Sequence, residues 1–255
     1  MLGQLTFVSL ARVTDPGEHR AYNEWHQLDH RPENLALDGV AWGERWVRSP
    51  RAAALETEVA GPLSDFHYLN MYWFTEPLTR TRSEWELLAE RAVHWGRRDD
   101  LALCTRPLMG YFVPVSVEVS PRLRLSAEAL PIRPNRGAYV EIVRWPDGRS
   151  AEALRAHAWF DRVRVAQLLG IAGVAGVCVL ASENTFATHQ DLADAADRAS
   201  TRIHIAYLDG DLAATAAELA SLPAAPPGGA DALHAGVVET IVPWRWDWFD
   251  ETESA

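Results

Sequence analysis

Apolar and polar residues alternate along short stretches of this chain, and stretches with helical spacing separate them. In the first half the alternation predicts four strands, at Leu5–Val13, Val40–Val47, Phe66–Glu76 and Met109–Val119. Helices are predicted at Asp15–Leu37 and Pro77–Trp95. Asp15 is the expected N-cap of the first helix, with Pro16 at its first position and Glu18 three residues after the cap. The resulting order, βαββαβ, is that of a ferredoxin-like unit.

The same order returns in the second half of the chain. Strands are predicted at Ala138–Trp145, Val174–Ala181, Arg202–Leu208 and Leu233–Val242, and helices at Ser150–Leu169 and Leu212–Leu222. A shift of 134 residues places Gly39 on Gly173 and Trp25 on Trp159. We therefore expect two tandem units, residues 1–119 and 137–255, joined by a proline-containing linker at 120–136.

The predicted fold class is α+β. One ferredoxin-like unit has an antiparallel four-stranded sheet with both helices on one face, so its other face is apolar and must be covered. Two tandem units can cover each other. We expect a pseudo-dimeric barrel within one chain, and association of two chains into a homodimer stays open.

Composition narrows the chemistry. All 24 basic residues are arginine, and the absence of lysine excludes pyridoxal phosphate enzymes, Schiff-base aldolases and Walker A phosphate loops. The net charge of -11 disfavours nucleic acid and anionic membranes as partners and leaves small molecules and other proteins. The sequence has no pattern typical of a membrane span or a leader peptide, so we expect a cytoplasmic protein. Cys104 and Cys178 lie among apolar neighbours and are expected to be reduced structural thiols.

Two histidines on the first helix are the main candidates for catalysis. His26 and His30 stand four residues apart and share a helix face, with Asp29 adjoining. A histidine tuned by a carboxylate can take a proton from an activated carbon or a phenol and return it elsewhere. The alternative is that His30 caps the helix end and His26 is solvated.

The segment around these histidines resembles a known family. Glu24-Trp25-His26-Gln27-Leu28-Asp29-His30-Arg31-Pro32-Glu33-Asn34-Leu35, then Leu37-Asp38-Gly39-Val40 and Arg45-Trp46, is similar to the EthD-like group of the dimeric α+β barrel superfamily. In that group a helix carries Trp and then His-x-Pro, and it leads through Leu-x-Gly-Val into a strand. The resemblance places His30 at the His-x-Pro position.

The superfamily implies several functions. It includes cofactor-independent monooxygenases that act on anthrones, muconolactone isomerases, polyketide dehydratases and cyclases, stress-response proteins without known activity, and a haem-binding branch. Our leading hypothesis is a cofactor-independent dehydratase, cyclase or isomerase that acts by histidine-based proton transfer on a small aromatic or polyketide-like substrate. The alternatives are a non-catalytic ligand-binding or stress-response protein, a cofactor-free monooxygenase, and a haem protein.

Aromatic residues on neighbouring segments could form the substrate pocket. Alternation sends Tyr68, Asn70 and Tyr72 to one face of their strand, and Asn70 would be costly to bury there without a polar partner. Three tryptophans complete the candidate binding set: Trp25, Trp42 and Trp46. Arg45 could bind an acidic substrate group, although a surface salt bridge is the more common role for an arginine.

The repeat offers an internal control. At the positions of His26, Asp29 and His30, the second unit has Phe160, Val163 and Arg164. Because Trp25 has its counterpart Trp159 but the polar set does not, one functional pocket per chain is expected, in the N-terminal unit.

Cofactors are predicted to be absent. His26 and His30 could bind a divalent metal with His67 or Glu44 as a further ligand, and haem could use His157, His204 or His234 in the second unit, but none lies in a recognisable motif. The run Pro243–Phe249 places tryptophans at alternate positions. On a strand these would form an apolar stripe covering the barrel end or a partner subunit.

Overall fold

The computed structural model describes residues 3–56, 61–98, 103–183, 200–223 and 229–250, and it contains the eight predicted strands. The strands of the first unit are β1 (Leu5–Val13), β2 (Val40–Val47), β3 (Tyr68–Phe74) and β4 (Cys104–Val119). Those of the second are β5 (Gly137–Arg144), β6 (Val174–Glu183), β7 (Thr201–Leu208) and β8 (Asp231–Thr240).

The helices follow the predicted order, with a short additional helix, Pro50–Ala53, between β2 and β3. They are α1 (His19–Trp25), α2 (Arg31–Leu35), α3 (Pro50–Ala53), α4 (Leu78–His94), α5 (Ala151–Trp159), α6 (Val165–Gly170) and α7 (Leu212–Ala220). Single 3₁₀ turns lie at Pro16–Glu18 and Ala127–Ala129. The side chain of Asp15 accepts a hydrogen bond from the Gly17 amide, as expected of the N-cap. Among the helices of the described residues, none combines the length and apolarity needed to cross a membrane.

The predicted long first helix contains a π-helical segment that the apolar pattern did not indicate. This segment, His26–His30, joins α1 to α2, and the amide of Arg31 bonds to the carbonyl of His26, five residues back. The second unit has the same device at Phe160–Arg164, between α5 and α6. Because both units contain it at equivalent positions, the π segment belongs to the fold and is not by itself a sign of function.

The strands close into one antiparallel barrel in the order β1-β3-β2-β8-β5-β7-β6-β4. Each unit contributes a four-stranded sheet, and two seams join the sheets. The β4–β6 seam is long, running from Tyr111↔Glu183 to Val119↔Gly176, whereas the β2–β8 seam pairs only Trp46↔Thr240 and Val47↔Glu239. The predicted pseudo-dimeric α+β barrel is thereby confirmed.

Apolar side chains fill the barrel interior. Leu69, Met71 and Trp73 of β3 point inward, together with residues from the strands of both units, while Tyr68 and Tyr72 point outward toward the helices. This division follows the predicted alternation along β3. A ligand cavity therefore has to be sought on the outer, helix-covered faces of the two sheets.

The two units superpose through strand register. Asn70 of β3 lies opposite Ser9, and its counterpart His204 of β7 lies opposite Glu141, so Ser9 and Glu141 occupy equivalent places.

Gly39 adopts a φ of +102°, and a Cβ there would collide with Thr81; this position needs glycine.

The C-terminal run corrects an expectation. Residues 243–250 form turns and not a strand, so the three tryptophans make no continuous stripe. Trp244 is 73% exposed, whereas Trp248 is buried and Phe249 stacks on His19 with ring centroids 3.7 Å apart. The run covers the outer face of the first sheet near Tyr68 with only its last two aromatic residues.

A buried histidine in the second unit gives a pH prediction. Burial lowers the pKa of His234 to about 3, and its Nδ1 lies 2.9 Å from the Ser64 hydroxyl. The unfolded chain binds a proton at this ring below about pH 6.5 while the folded chain does not, so stability is lost as the pH falls from about 6.5 toward about 3. We expect the free energy of unfolding to fall over this range by up to about 1.4 kcal/mol per pH unit from this group.

Urea denaturation of the protein at a series of pH values measures this slope. His234→Gln should reduce it, whereas His94→Gln, at an exposed position on α4, should leave it unchanged. An unaltered slope in His234→Gln would contradict the assignment.

Candidate functional site

A cavity of about 220 Å³ lies between the outer face of the first sheet and the helices that cover it. Strand residues form its floor, α4 forms one wall and the π segment with α2 forms another. Its lining includes Phe7, Ser9, Asn70, Tyr72, Arg106 and Tyr111 from the strands, Trp85, Glu86 and Glu90 from α4, and His26, His30 and Asn34 from the π segment and α2. Aromatic surface and polar groups therefore meet in one partly open cavity.

The π segment places both histidines on the cavity wall. The rings of His26 and His30 are perpendicular, with centroids 5.0 Å apart. Trp25 stacks on His30 at 4.6 Å with an angle of 14°. Trp25 and His30 are five residues apart, and they share a face of the helix because the π turn contains one extra residue. The side-chain amide nitrogen of Asn34 donates to Nε2 of His30 at 3.2 Å, so the ring is fixed on both sides.

His26 is held neutral. It is 2% exposed, and burial, followed by the charges of Arg45, His30 and Arg106, lowers its pKa well below the usual value of 6.5. Its Nδ1 has no hydrogen-bond partner among the described residues. A buried imidazole nitrogen without a partner is costly, and a ligand in the cavity could satisfy it.

A polar row, one residue from each strand, crosses the first sheet at the cavity: Ser9, Asn70 and Arg106 line the cavity, and Arg45 contacts Asn70 from outside the lining. Arg45 of β2 lies opposite Asn70 of β3, and Asn70 lies opposite Ser9 of β1. Arg45 Nε donates to Asn70 Oδ1 at 3.0 Å, and the Arg106 guanidinium of β4 donates to Ser9 Oγ at 2.9 Å. We call Arg45, Asn70, Ser9 and Arg106 the polar row.

Arg45 is 1% exposed and does not form the surface salt bridge that was considered more common for such an arginine. A second nitrogen donates to Asn23 Oδ1 at 3.2 Å, and the guanidinium lies over the rings of Tyr22 and Tyr68 at 5.6 and 5.5 Å. Its Nη1 has no hydrogen-bond partner among the described residues. Amides and aromatic faces therefore surround this buried cation.

The α4 wall brings aromatic surface and carboxylates. Trp85 packs against Phe7 and Tyr72, with ring centroids 5.3 and 4.8 Å apart. Burial raises the pKa of Glu86, and one of its carboxylate oxygens has no partner among the described residues. Burial also raises the pKa of Tyr72 to about 12, so its phenol stays protonated at neutral pH.

The structure brings only part of the predicted site together. His26, His30, Asn70 and Tyr72 line the cavity, and Trp25 supports His30 from behind. Asp29 faces away and pairs with Arg97 at 2.6 Å.

Three of the aromatic residues in the predicted set lie elsewhere. Tyr68 bonds to His19 and Asn23 at 2.8 and 2.7 Å, and Trp46 lies in the barrel interior with Trp42 packed against the same cluster. Sequence reasoning missed Ser9, Arg106, Glu86 and Asn34. Asn34 follows His30 by one helical turn, which is a usable signal.

The second unit replaces this site with a closed ion pair. Phe160 stacks on His204, with ring centroids 3.4 Å apart, where the first unit has His26 and Asn70. Arg164, in the place of His30, pairs with Glu141 at 2.8 Å, and these side chains are 9% and 14% exposed. A separate cavity of about 300 Å³ borders this pair.

The metal and haem alternatives both need suitably placed ligand side chains. No group of three or more His, Cys, Asp or Glu side chains in the described ranges could hold a metal ion. The second-unit cavity has no histidine in its described lining, and His204, His157 and His234 pack instead against Phe160, Trp145 and Phe66. None of these three histidines is therefore placed to bind a haem iron in the second-unit cavity.

No protein-family model matches the chain, and no curated protein matches it. A solved structure described as a candidate chlorite dismutase is similar, with a TM-score of 0.51, 11% identity and 98% of each chain covered. A candidate monooxygenase from Fusobacterium nucleatum subsp. nucleatum has a TM-score of 0.51, 8% identity and 94% of each chain covered. At this identity the likeness establishes the fold alone: the chain has the α+β barrel fold of these structures, built here from two tandem ferredoxin-like units.

Proposed function

We propose that the first-unit cavity binds a small, largely apolar aromatic or polyketide-like molecule and that His30 transfers a proton on it. The reaction class is isomerisation, dehydration or cyclisation, none of which requires a bound organic cofactor. The observation that carries this proposal is the pair of histidines on one cavity wall, with His30 oriented by Trp25 and Asn34.

The two histidines have different roles in this proposal. His30 takes a proton from a carbon next to a carbonyl and returns it to another atom of the same molecule, so charge and electrons balance within the substrate. The Asn34 side chain serves both states of the ring, because its amide nitrogen donates to neutral imidazole and its oxygen, after rotation, accepts from imidazolium. His26 stays neutral and contributes a hydrogen bond to the substrate oxygen without changing charge.

The lining of the cavity favours a flat substrate. Phe7, Trp85 and Tyr111 supply apolar faces, and the polar groups on the floor and on the π segment lie to one side of them. A ring between these aromatic residues would have its oxygen substituents directed at the polar side.

Proton transfer can be tested without knowledge of the natural substrate. In D₂O, the protein should catalyse hydrogen–deuterium exchange at the carbon next to the carbonyl of 2-tetralone, observed by proton NMR. His30→Ala should slow the catalysed exchange about 100-fold, in the range typical of lost general acid–base catalysis. His94→Ala, at an exposed position on α4, is the matched control and should exchange at the rate of the unmodified protein.

Equal rates in His30→Ala and the unmodified protein would refute the role of His30. If 2-tetralone binds but no catalysed exchange occurs, the protein is a ligand-binding protein of this fold and not an enzyme of the proposed class.

A further inference from the structure

We propose that the ligand of the first-unit cavity carries an anionic oxygen, a carboxylate or an enolised or phenolic oxygen, and that this oxygen lies against Asn70, Ser9 and Arg106, the members of the polar row that line the cavity. The inference rests on the proposed function and specifies its substrate class. It depends on the charge balance of the buried groups, whereas the function above depends on the histidine pair.

The two units differ in the charge balance of their buried groups. In the second unit, the buried cation Arg164 lies 2.8 Å from the carboxylate of Glu141. In the first unit, Ser9 occupies the place of Glu141, and the buried cation Arg45 has amide partners but no ion pair among the described residues. Its sequence neighbour Glu44 interacts with its charge but bonds to its backbone amide. A buried cation is costly without an anion close by, and a cavity at the position of the missing carboxylate can admit one.

Hydrogen-bond donors lie on the floor of the cavity. Arg106 lines the cavity and uses one N–H on Ser9 Oγ, which leaves the hydroxyl of Ser9 able to donate its own proton to a ligand. Asn70 also lines the cavity, and the bond from Arg45 to its carbonyl oxygen polarises the amide and makes its N–H₂ group a stronger donor. The floor therefore presents hydrogen-bond donors backed by two positive charges.

Charges of opposite sign lie on different sides of the cavity. The arginines whose charges lower the pKa of His26, Arg45 and Arg106, lie on the strands, whereas the carboxylates of Glu86 and Glu90 stand on α4. An anionic oxygen is therefore favoured beside His26 and the polar row and disfavoured near α4. The apolar part of the ligand then lies between the aromatic residues, and an enolate formed by proton loss to His30 would have its charge at the cationic side.

Binding of matched probes tests the proposal. The probes are 2-naphthoate, 2-naphthol and the neutral 2-naphthamide, titrated into the full-length protein with calorimetry as the readout. We expect 2-naphthoate, 2-naphthol or both to bind at least about tenfold more tightly than the amide, because charge-assisted hydrogen bonds are the stronger ones. The carboxylate and naphthol arms distinguish the two sources of the anionic oxygen, and tighter naphthol binding with proton release would identify a phenolate.

In Arg106→Gln, the ratio of the affinity for the anionic probe to the affinity for 2-naphthamide should fall close to one. The affinity for 2-naphthamide itself should stay nearly unchanged. Arg82→Gln is the matched control, because Arg82 pairs with Glu183 and lies over Tyr111 outside the cavity lining; it should retain the preference.

Equal or tighter binding of the amide in the unmodified protein would overturn the anion proposal and leave the cavity as an aromatic binding site. A preference that persists in Arg106→Gln would also overturn it. Binding of none of the probes would overturn both this inference and the proposed function, whereas catalysed exchange of 2-tetralone without an anion preference would overturn this inference alone.

Discussion

Trp46→Ala is expected to lower the free energy of unfolding by about 3–5 kcal/mol, which is typical of removing a buried tryptophan from a packed core. Trp46 is fully buried in the barrel interior, where its ring packs near Tyr207 of the other unit at 6.2 Å. Its indole N–H donates to Asn135 Oδ1 at 3.0 Å, and the Thr240 hydroxyl donates to the same oxygen at 2.6 Å. The variant thus loses core packing and the side-chain bond from β2 to Asn135, the residue that also accepts from Thr240 of β8.

Urea denaturation followed by circular dichroism measures this loss. Trp244→Ala is the control, because Trp244 is 73% exposed and should change the stability by less than about 0.5 kcal/mol. Since Trp46 lies away from the cavity, ligand affinity in the folded fraction should stay as it was. A weakened affinity in Trp46→Ala with unchanged stability would mean that Trp46 forms a wall of the binding site after all.

Glu141→Leu is expected to lower the free energy of unfolding by about 3 kcal/mol, because it leaves the buried guanidinium of Arg164 without its anion. Arg164 also donates to the carbonyl of Pro223, and the Tyr139 hydroxyl donates to Glu141 at 3.1 Å, so the carboxylate has two partners to lose. Chemical denaturation of the single variant gives the size of the loss.

The double variant Glu141→Leu with Arg164→Met supplies the discriminating measurement. It removes both charges together, so it should be more stable than Glu141→Leu alone. A double variant as unstable as the sum of the two single variants would show that the pair contributes no coupling. Activity at the first-unit cavity should be unaffected in either case, since the ion pair belongs to the second unit.

Periodicity was sufficient for the fold because each strand has one face in the barrel and the other under helices. The alternation of Leu69, Met71 and Trp73 with Tyr68 and Tyr72 reports these two environments directly. The π segments escaped prediction because one extra residue in a helix does not break a pattern of Trp, Leu and His. The predicted stripe of C-terminal tryptophans was wrong for a similar reason, because alternation of apolar residues also occurs in a run of turns.

The candidate site was only partly predictable because its residues come together through register. His26 and His30 share a helix and could be paired from sequence, and Asn70 was marked by being polar on a strand otherwise rich in aromatic residues. Ser9 and Arg106 had no such mark, since their contact at 2.9 Å depends on how β1 and β4 align across an irregularity in the pairing. Trp46 was misplaced because alternation separates the two faces of a strand without saying which one faces the helices.

The unequal seams of the barrel have a consequence for how it opens. Two register pairs at β2–β8 hold that side, against a seam along most of β4 on the other, so local separation of the units should begin at β2–β8. Opening there would expose two strand edges with unpaired amides while the long seam still tethers the halves as a hinge. Such edges could pair with the complementary edges of a second molecule, and an exchanged dimer formed this way would reproduce between chains the arrangement that the tandem repeat achieves within one.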